Sequence, residues 1–250
     1  MRPLKLLFAI VVLAPAVASA QTPPPDSVSE VLRQKIQPGT VSKYEAARKE
    51  HMGWHKTHND PWTWEVFEVM TGPDTGSYLI SSGDHQWKDM EGWVAKYADA
   101  DGADSAASMG PYIASTQRTY WTQLNAISRM PAADVQYPLI TLTTYHVKPG
   151  SDAAVRAAIA KVNAALDAGK FPIGSVWFVL TNGGPTPTYA VVAPRNGLGE
   201  MGPSPSLLEV LEKQLGKPAS DALIKSFFDN VVSASTELLR FRTDLSYLPK

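Results

Sequence analysis

The sequence predicts an α+β fold in which one strand–helix–strand–strand–helix–strand unit is written twice along the chain. Three observations carry this expectation. The segment Gln37-Pro38-Gly39-Thr40 recurs as Lys148-Pro149-Gly150-Ser151, a shift of 111 residues (149 − 38). The same shift takes Phe67 to Phe178, Tyr78 to Tyr189, Asp89-Met90 to Glu200-Met201 and Arg129 to Arg240, and it falls to 110 where Asp134–Tyr137 meets Asp244–Tyr247. A register this constant, with insertions confined to loops, is what duplication predicts. Within each copy, β-branched segments alternate with segments apolar at helical spacing, in the order of a split βαβ unit that lays one helical layer on an antiparallel sheet. The composition, 44% hydrophobic and 19% charged over 250 residues, belongs to a globular chain able to bury a core. The two copies are expected at 27–138 and 139–250.

In the second copy, Leu139–Val147 is rich in β-branched residues and reads as a strand. Pro149-Gly150 stops it, and Ser151 or Asp152 caps a helix running to about Ala168, with Gly169 just beyond. Val155, Ile159, Val162 and Leu166 form that helix's apolar stripe. Strands follow at Ser175–Thr181 and Thr188–Ala193 around the turn Asn182–Pro185, then helices at Ser204–Leu215 and Ser220–Arg240, and a short closing strand at Asp244–Leu248. The first copy parallels this with strand Val28–Ile36, helix Thr40–Thr57, strand Thr63–Met70, turn Gly72–Gly76 and strand Ser77–Ser81. Helices are expected near His85–Tyr97 and Pro111–Ser128, separated by the small, polar loop Asp99–Ser108. Each unit leaves one apolar sheet face bare, and two units in one chain can close on each other through those faces.

Ahead of the first copy, Met1–Lys5 is basic, Leu6–Val17 is mostly apolar, and Ala18-Ser19-Ala20 has the small-x-small pattern of a signal-peptidase site. Residues 1–20 are therefore expected to be a signal peptide, and 21–26 a Pro-rich leader to an exported, periplasmic or secreted chain. Removing Arg2 and Lys5 leaves a net charge of −3 (21 − 24). There is no basic surplus to seek nucleic acid and no second apolar run to enter a membrane. With no Cys, disulfides, thiolate nucleophiles and thiolate metal sites are all excluded.

The pattern Pro38-Gly39, then Lys43-Tyr44-Glu45 on a first helix, then an aromatic strand and a Gly-Pro hairpin resembles the dimeric α/β-barrel superfamily, which includes the NIPSNAP and antibiotic-biosynthesis-monooxygenase-like domains. The resemblance covers nearly all of the mature chain, twice. It implies a ferredoxin-like pseudo-dimer within one polypeptide, hence a monomer with an internal barrel. It also implies a choice among haem binders, cofactor-free oxygenases and plain ligand binders, which fold alone does not make.

The copies differ in their polar and aromatic residues. Four of the five His (His51, His55, His58, His85) and six of the seven Trp lie in the first copy. The 111-residue shift maps Val155 onto Tyr44, Ile159 onto Arg48, Val162 onto His51 and Leu166 onto His55. If both helices pack alike, the first copy buries polar groups where the second packs aliphatics, and buried polar groups need partners. The expected site is a pocket between this helix and the sheet, lined by Tyr44, Arg48, His51, Trp54 and His55, that takes a small apolar or aromatic ligand without a resident cofactor. Glu65 or Glu68 on the next strand could supply partners. The bland alternative is a slightly rotated helix whose His residues sit half-exposed near its C-terminus. A divalent metal at His51/His55, with His58 nearby and Glu65 as third ligand, is a further alternative. So is haem on one of these His, or a monooxygenase-like site in which Arg48 or His51 stabilises negative charge. The duplication could equally be structural only, with both cavities filled. HExxH is absent because Met52 stands where Glu would be, and Gly197–Gly202 spells GxGxxG but is followed by Pro203 and Pro205, so turn glycines explain it better than a nucleotide loop.

Overall fold

The structure, a computed structural model, describes residues 25–132 and 135–249. The expected signal peptide, residues 21–24 of the leader, and the Asp134 end of the 110-residue match lie outside those residues. Eight strands form a closed antiparallel barrel: β1 (Val28–Ile36), β2 (Glu65–Val69), β3 (Tyr78–His85), β4 (Ile113–Gln123), β5 (Leu139–Val147), β6 (Val176–Asn182), β7 (Thr188–Arg195) and β8 (Val231–Phe241). Their order around the barrel is β1-β3-β2-β8-β5-β7-β6-β4, with β4 returning to β1. Helix α1 (Val41–Thr57) follows β1; α2 (Trp87–Trp93), a π turn (Val94–Ala98) and α3 (Asp99–Ser108) follow β3. In the second half α4 (Asp152–Ala168) follows β5, and α5 (Leu207–Leu215) and α6 (Lys217–Phe228) follow β7. Among the described residues no helix is long and apolar enough to cross a membrane.

The period-2 alternation of the strands sorts their side chains between two environments. On β1, Val28, Leu32 and Ile36 face outward into the helix layer, while Ser29, Val31 and Arg33 face the barrel interior. The halves meet edge to edge at two seams, Phe67↔Phe241 through Val69↔Leu239 between β2 and β8, and Trp121↔Leu180 through Gln123↔Phe178 between β4 and β6. Closure by pairing removes the sheet edges that each half would otherwise expose.

Two segments expected as helix are strands. Pro111–Ser128 contains β4, and Ser220–Arg240 splits into α6 and β8. Both strands take the place beside the first strand of their half, β4 pairing β1 from Val28↔Thr122 to Ile36↔Ile113 and β8 pairing β5 likewise. The Thr-, Tyr- and Trp-rich run of β4 suits a pleated surface better than its mixed polarity suggested. Asp244–Leu248 is a 3-10 turn, Thr243–Leu245, carrying one isolated bridge from Tyr247 to Trp64. The matching bridge is Arg129 to Ser175. The geometry thus matches Arg129 with Tyr247, a shift of 118 (247 − 129), and not with Arg240. Asp99–Ser108, expected as a loop, is helical.

Candidate metal centre

Helix α1 presents Tyr44, Ala47, Arg48, His51, Met52 and His55 to the interior of the helix layer, so the His residues are not half-exposed: His51 and His55 are 2% and 1% accessible. The space beneath is occupied by aromatic side chains, among them Trp62, Trp64, Trp93 and Tyr97. Two cavities, one inside the barrel and one beside α4 and α6, are lined by none of the five expected site residues. The second half fills the equivalent layer with Val155, Ala158, Ile159, Trp177, Leu223 and Phe227.

Asp60, just past the end of α1, is the keystone. Its side chain is fully buried and accepts four hydrogen bonds, from the Trp62 amide at 3.0 Å and Trp93 Nε1 at 2.9 Å on Oδ1, and from Trp64 Nε1 at 2.9 Å and His55 Nδ1 at 2.8 Å on Oδ2. Burial by itself would raise the Asp60 pKa, but the bonds from His55, the Trp62 amide and the two indoles outweigh it and hold the carboxyl below its ordinary value. Asp60 is therefore a carboxylate, His55 donates from Nδ1, and the His55 Nε2 lone pair is left facing away from it. Burial also lowers the His55 pKa, which favours this neutral form.

The second imidazole repeats the arrangement. His51 Nδ1 lies 2.7 Å from Asp104 Oδ2 on α3. The two Nε2 atoms then converge on one oxygen, Asp101 Oδ1, at 3.3 Å from His51 and 3.5 Å from His55. That oxygen is buried and has no hydrogen-bond partner among the described residues. With each Nδ1 proton committed to a carboxylate, the three converging atoms are all acceptors, an arrangement satisfied either by a metal ion between them or by a second proton on one imidazole. A metal held tetrahedrally at about 2.0–2.1 Å spaces its ligand atoms by about 3.3–3.4 Å. The three ligand atoms lie within 4.8 Å of one another. Nδ1-to-carboxylate bonds behind both imidazoles are the usual support of metal-bound His.

Around this cluster the polar groups are few. Arg48 is 3% accessible, and its Nε and Nη2 have no hydrogen-bond partner. Burial lowers its pKa, opposed by Tyr44 and by Asp101. Glu30 on β1 pairs with Arg118 at 3.1 Å; burial raises its pKa, Arg118 opposes, and Asp101 adds to the rise. Trp54, half-buried, stacks on His51 at 6.0 Å and on His58 at 4.1 Å.

The structure thus brings Arg48, His51, Trp54 and His55 to one cluster. Tyr44 lies apart from it, its hydroxyl donating to Gln34 Oε1 at 2.7 Å and its ring against Tyr78. His58 binds the Trp54 carbonyl and stands outside the cluster. Glu65, weighed as third ligand, faces the barrel interior, and Glu68 faces the helix layer, where Arg240 and Arg242 hold it. The third group that could serve as a ligand is Asp101. The sequence reading missed Asp60, Asp101 and Asp104. A helical reading of Asp99–Ser108 would have found the last two, since Asp101 and Asp104 share one helix face at i, i+3.

The haem that the resemblance implies does not fit here. On both His51 and His55 the Nδ1 faces a carboxylate of Asp104 or Asp60 and the Nε2 faces Asp101 Oδ1 at 3.3 and 3.5 Å, so neither imidazole presents a nitrogen to the centre of a macrocycle.

No protein-family profile matches the chain, and no curated protein matches it. Solved structures do match its fold. A monooxygenase-like protein of Lactobacillus acidophilus NCFM superposes with a TM-score of 0.56 at 10% identity, covering 89% of this chain and 96% of its own. An anthrone oxidase-like protein gives 0.54 at 13% identity, covering 87% and 91%. Chlorite dismutase of Candidatus Nitrospira defluvii, in a single-residue mutant form, gives 0.56 at 8% identity, covering 87% and 92%. The chain therefore has the dimeric α/β-barrel fold, closed within a single polypeptide. Identities this low speak for the fold alone.

Proposed function

We propose that this chain is a metalloprotein whose His51, His55 and Asp101 bind one divalent first-row transition-metal ion. The observation that carries the proposal is the convergence of two carboxylate-backed imidazoles on an unpartnered carboxylate oxygen. Two imidazoles and one carboxylate suit zinc or iron and leave coordination positions for water or a substrate atom. This is also the ligand set of non-haem iron oxygenases, which favours the oxygenase-like alternative over cofactor-free ligand binding. Arg48, with two buried nitrogens free, is placed to hold an anionic group beside the ion, and Trp54 covers the cluster from its outer side.

The chain is further proposed to be exported after cleavage behind Ala20, with tandem halves at 27–138 and 139–250 that replace a homodimer. Equal element lengths support the tandem halves: β1 and β5 both have 9 residues, α1 and α4 both 17, and β4 and β8 both 11.

The test uses the untagged mature chain, stripped of metal and titrated with Zn²⁺ by calorimetry and with Co²⁺ by visible absorption. One ion should bind per chain, with a Co²⁺ spectrum of low-symmetry nitrogen–oxygen coordination. His51→Gln, His55→Gln and Asp101→Asn should each lower affinity at least about a hundredfold, a few kcal/mol for one lost ligand. Absence of saturable binding in the parent chain, or parent-like binding in all three variants, rejects the assignment.

A further inference from the structure

The barrel interior is separate from the metal cluster. All eight strands enclose a cavity of about 500 Å³. An eight-stranded barrel is just wide enough to be filled by its own side chains or to hold one small ligand. Which outcome applies depends on the inward residues, and several of these are small: Ser29, Ser81, Ala190 and Ser235. The volume falls within the roughly 300–1,000 Å³ in which proteins hold small organic molecules. The wall is mainly apolar and aromatic, with Phe67, Trp121, Phe178, Leu142 and Leu239 among its side chains.

Three carboxyl groups line this space, and they are not equivalent. Glu237 takes a bidentate pair from Arg33, at 3.0 and 2.7 Å, and Arg33 Nη1 also lies 3.3 Å from Asp74. Asp74 belongs to the β2–β3 turn, so this ion pair sits at one end of the barrel. Among the described residues Glu65, alone of the three, has no hydrogen-bond or ion-pair partner; it lies on β2 in register with Ser81 of β3. A carboxyl facing an apolar void without a partner is uncommon, because desolvation is not offset.

From this geometry we infer that the barrel interior is a binding site for a small aromatic molecule with one hydroxyl or carbonyl group, which hydrogen-bonds to Glu65 while the ring system fills the apolar wall. Burial and the nearby Asp84 raise the Glu65 pKa, which favours the protonated acid, able both to donate and to accept. Arg33 and Glu237 are paired with each other and do not compete for Glu65.

The experiment uses the mature chain and N-phenyl-1-naphthylamine, a neutral dye that fluoresces when it leaves water. Saturable enhancement at one dye per chain is expected, with displacement by 1-naphthol about tenfold more effective than by naphthalene, the fold-change of one net hydrogen bond. Glu65→Leu should erase the preference for naphthol, and Glu65→Gln should keep it. Ser81→Phe, which fills the void beside Glu65, should lower dye affinity at least about tenfold; Leu142→Trp does the same from the opposite half should Ser81→Phe fail to fold. His55→Gln should leave dye binding unchanged, so loss of the metal assignment and loss of this one are read separately. No enhancement in the parent chain, or undiminished binding in the filled variants, overturns the inference. A naphthol preference that survives Glu65→Leu overturns the role of Glu65.

Discussion

Asp60→Asn is the sharpest perturbation of the metal cluster, because it changes one atom in a fully buried carboxylate. In the parent chain both oxygens accept two bonds each, and all four donors are N–H groups. The new amide nitrogen is itself a donor, so it must face either the Trp62 amide and Trp93 indole or the Trp64 indole and His55. The second choice is less costly, since His55 can switch tautomer and accept at Nδ1, but the Trp64 N–H is still left against a donor. Losing one bond to a charged acceptor and leaving its partner unsatisfied costs about 3–4 kcal/mol. For a chain of this size each kcal/mol moves Tm by about 2–4 °C, so the metal-free variant should melt roughly 6–16 °C below the parent. The tautomer switch also puts a proton on His55 Nε2, the atom that faces Asp101, and Zn²⁺ affinity should fall about 10- to 100-fold. Circular-dichroism melting of metal-free protein and Zn²⁺ calorimetry read the two effects independently. A variant that melts within about 2 °C of the parent, or binds Zn²⁺ with parent affinity, refutes the hydrogen-bond chain from the indoles through Asp60 to the cluster.

Zn²⁺ at about 100 times its Kd should stabilise the parent by about 2.7 kcal/mol, a Tm rise of roughly 5–11 °C that His55→Gln should not show in thermal melts. Gly183→Ala should cost about 2–4 kcal/mol in urea unfolding, because its φ is +97° and an added Cβ would meet the Arg118 carbonyl at 2.4 Å and Thr119 Cα at 2.9 Å. Gly76→Ala is its control: at φ +84° with nothing within 4 Å it should lose only about 1 kcal/mol, and equal losses would deny that the contact matters. Glu65→Gln should raise Tm near about pH 8 but not below about pH 4. A carboxyl whose folded pKa is raised takes up a proton on folding, so its penalty grows as pH rises past the unfolded value and vanishes below it. The same Tm difference at both pH values would show that Glu65 does not titrate with folding.

Much of the architecture was legible along the chain. The Pro-Gly turns before α1 and α4, the two 17-residue helices and the first strands of each half follow from local chemistry, since turn residues, capping and period-3.6 apolarity act over a few residues. The concentration of Trp and His in the first half is a direct count, and placing their helix against its counterpart gave burial of Arg48, His51 and His55 as one of two readings, beside a half-exposed helix. Tertiary structure alone decided the rest. β4 and β8 are strands because they pair with β1 and β5 over their whole length, and such long-range pairing overrides local preference. Asp99–Ser108 is helical where it packs on α1, and only that packing brings Asp101 and Asp104 to His51, some fifty residues away in sequence. The alternation along β2 placed Glu65 and Glu68 on opposite faces, but barrel closure chose which carboxylate faces the void. Spacing along a chain specifies a face; the company that face keeps is a matter of which distant segments fold against it.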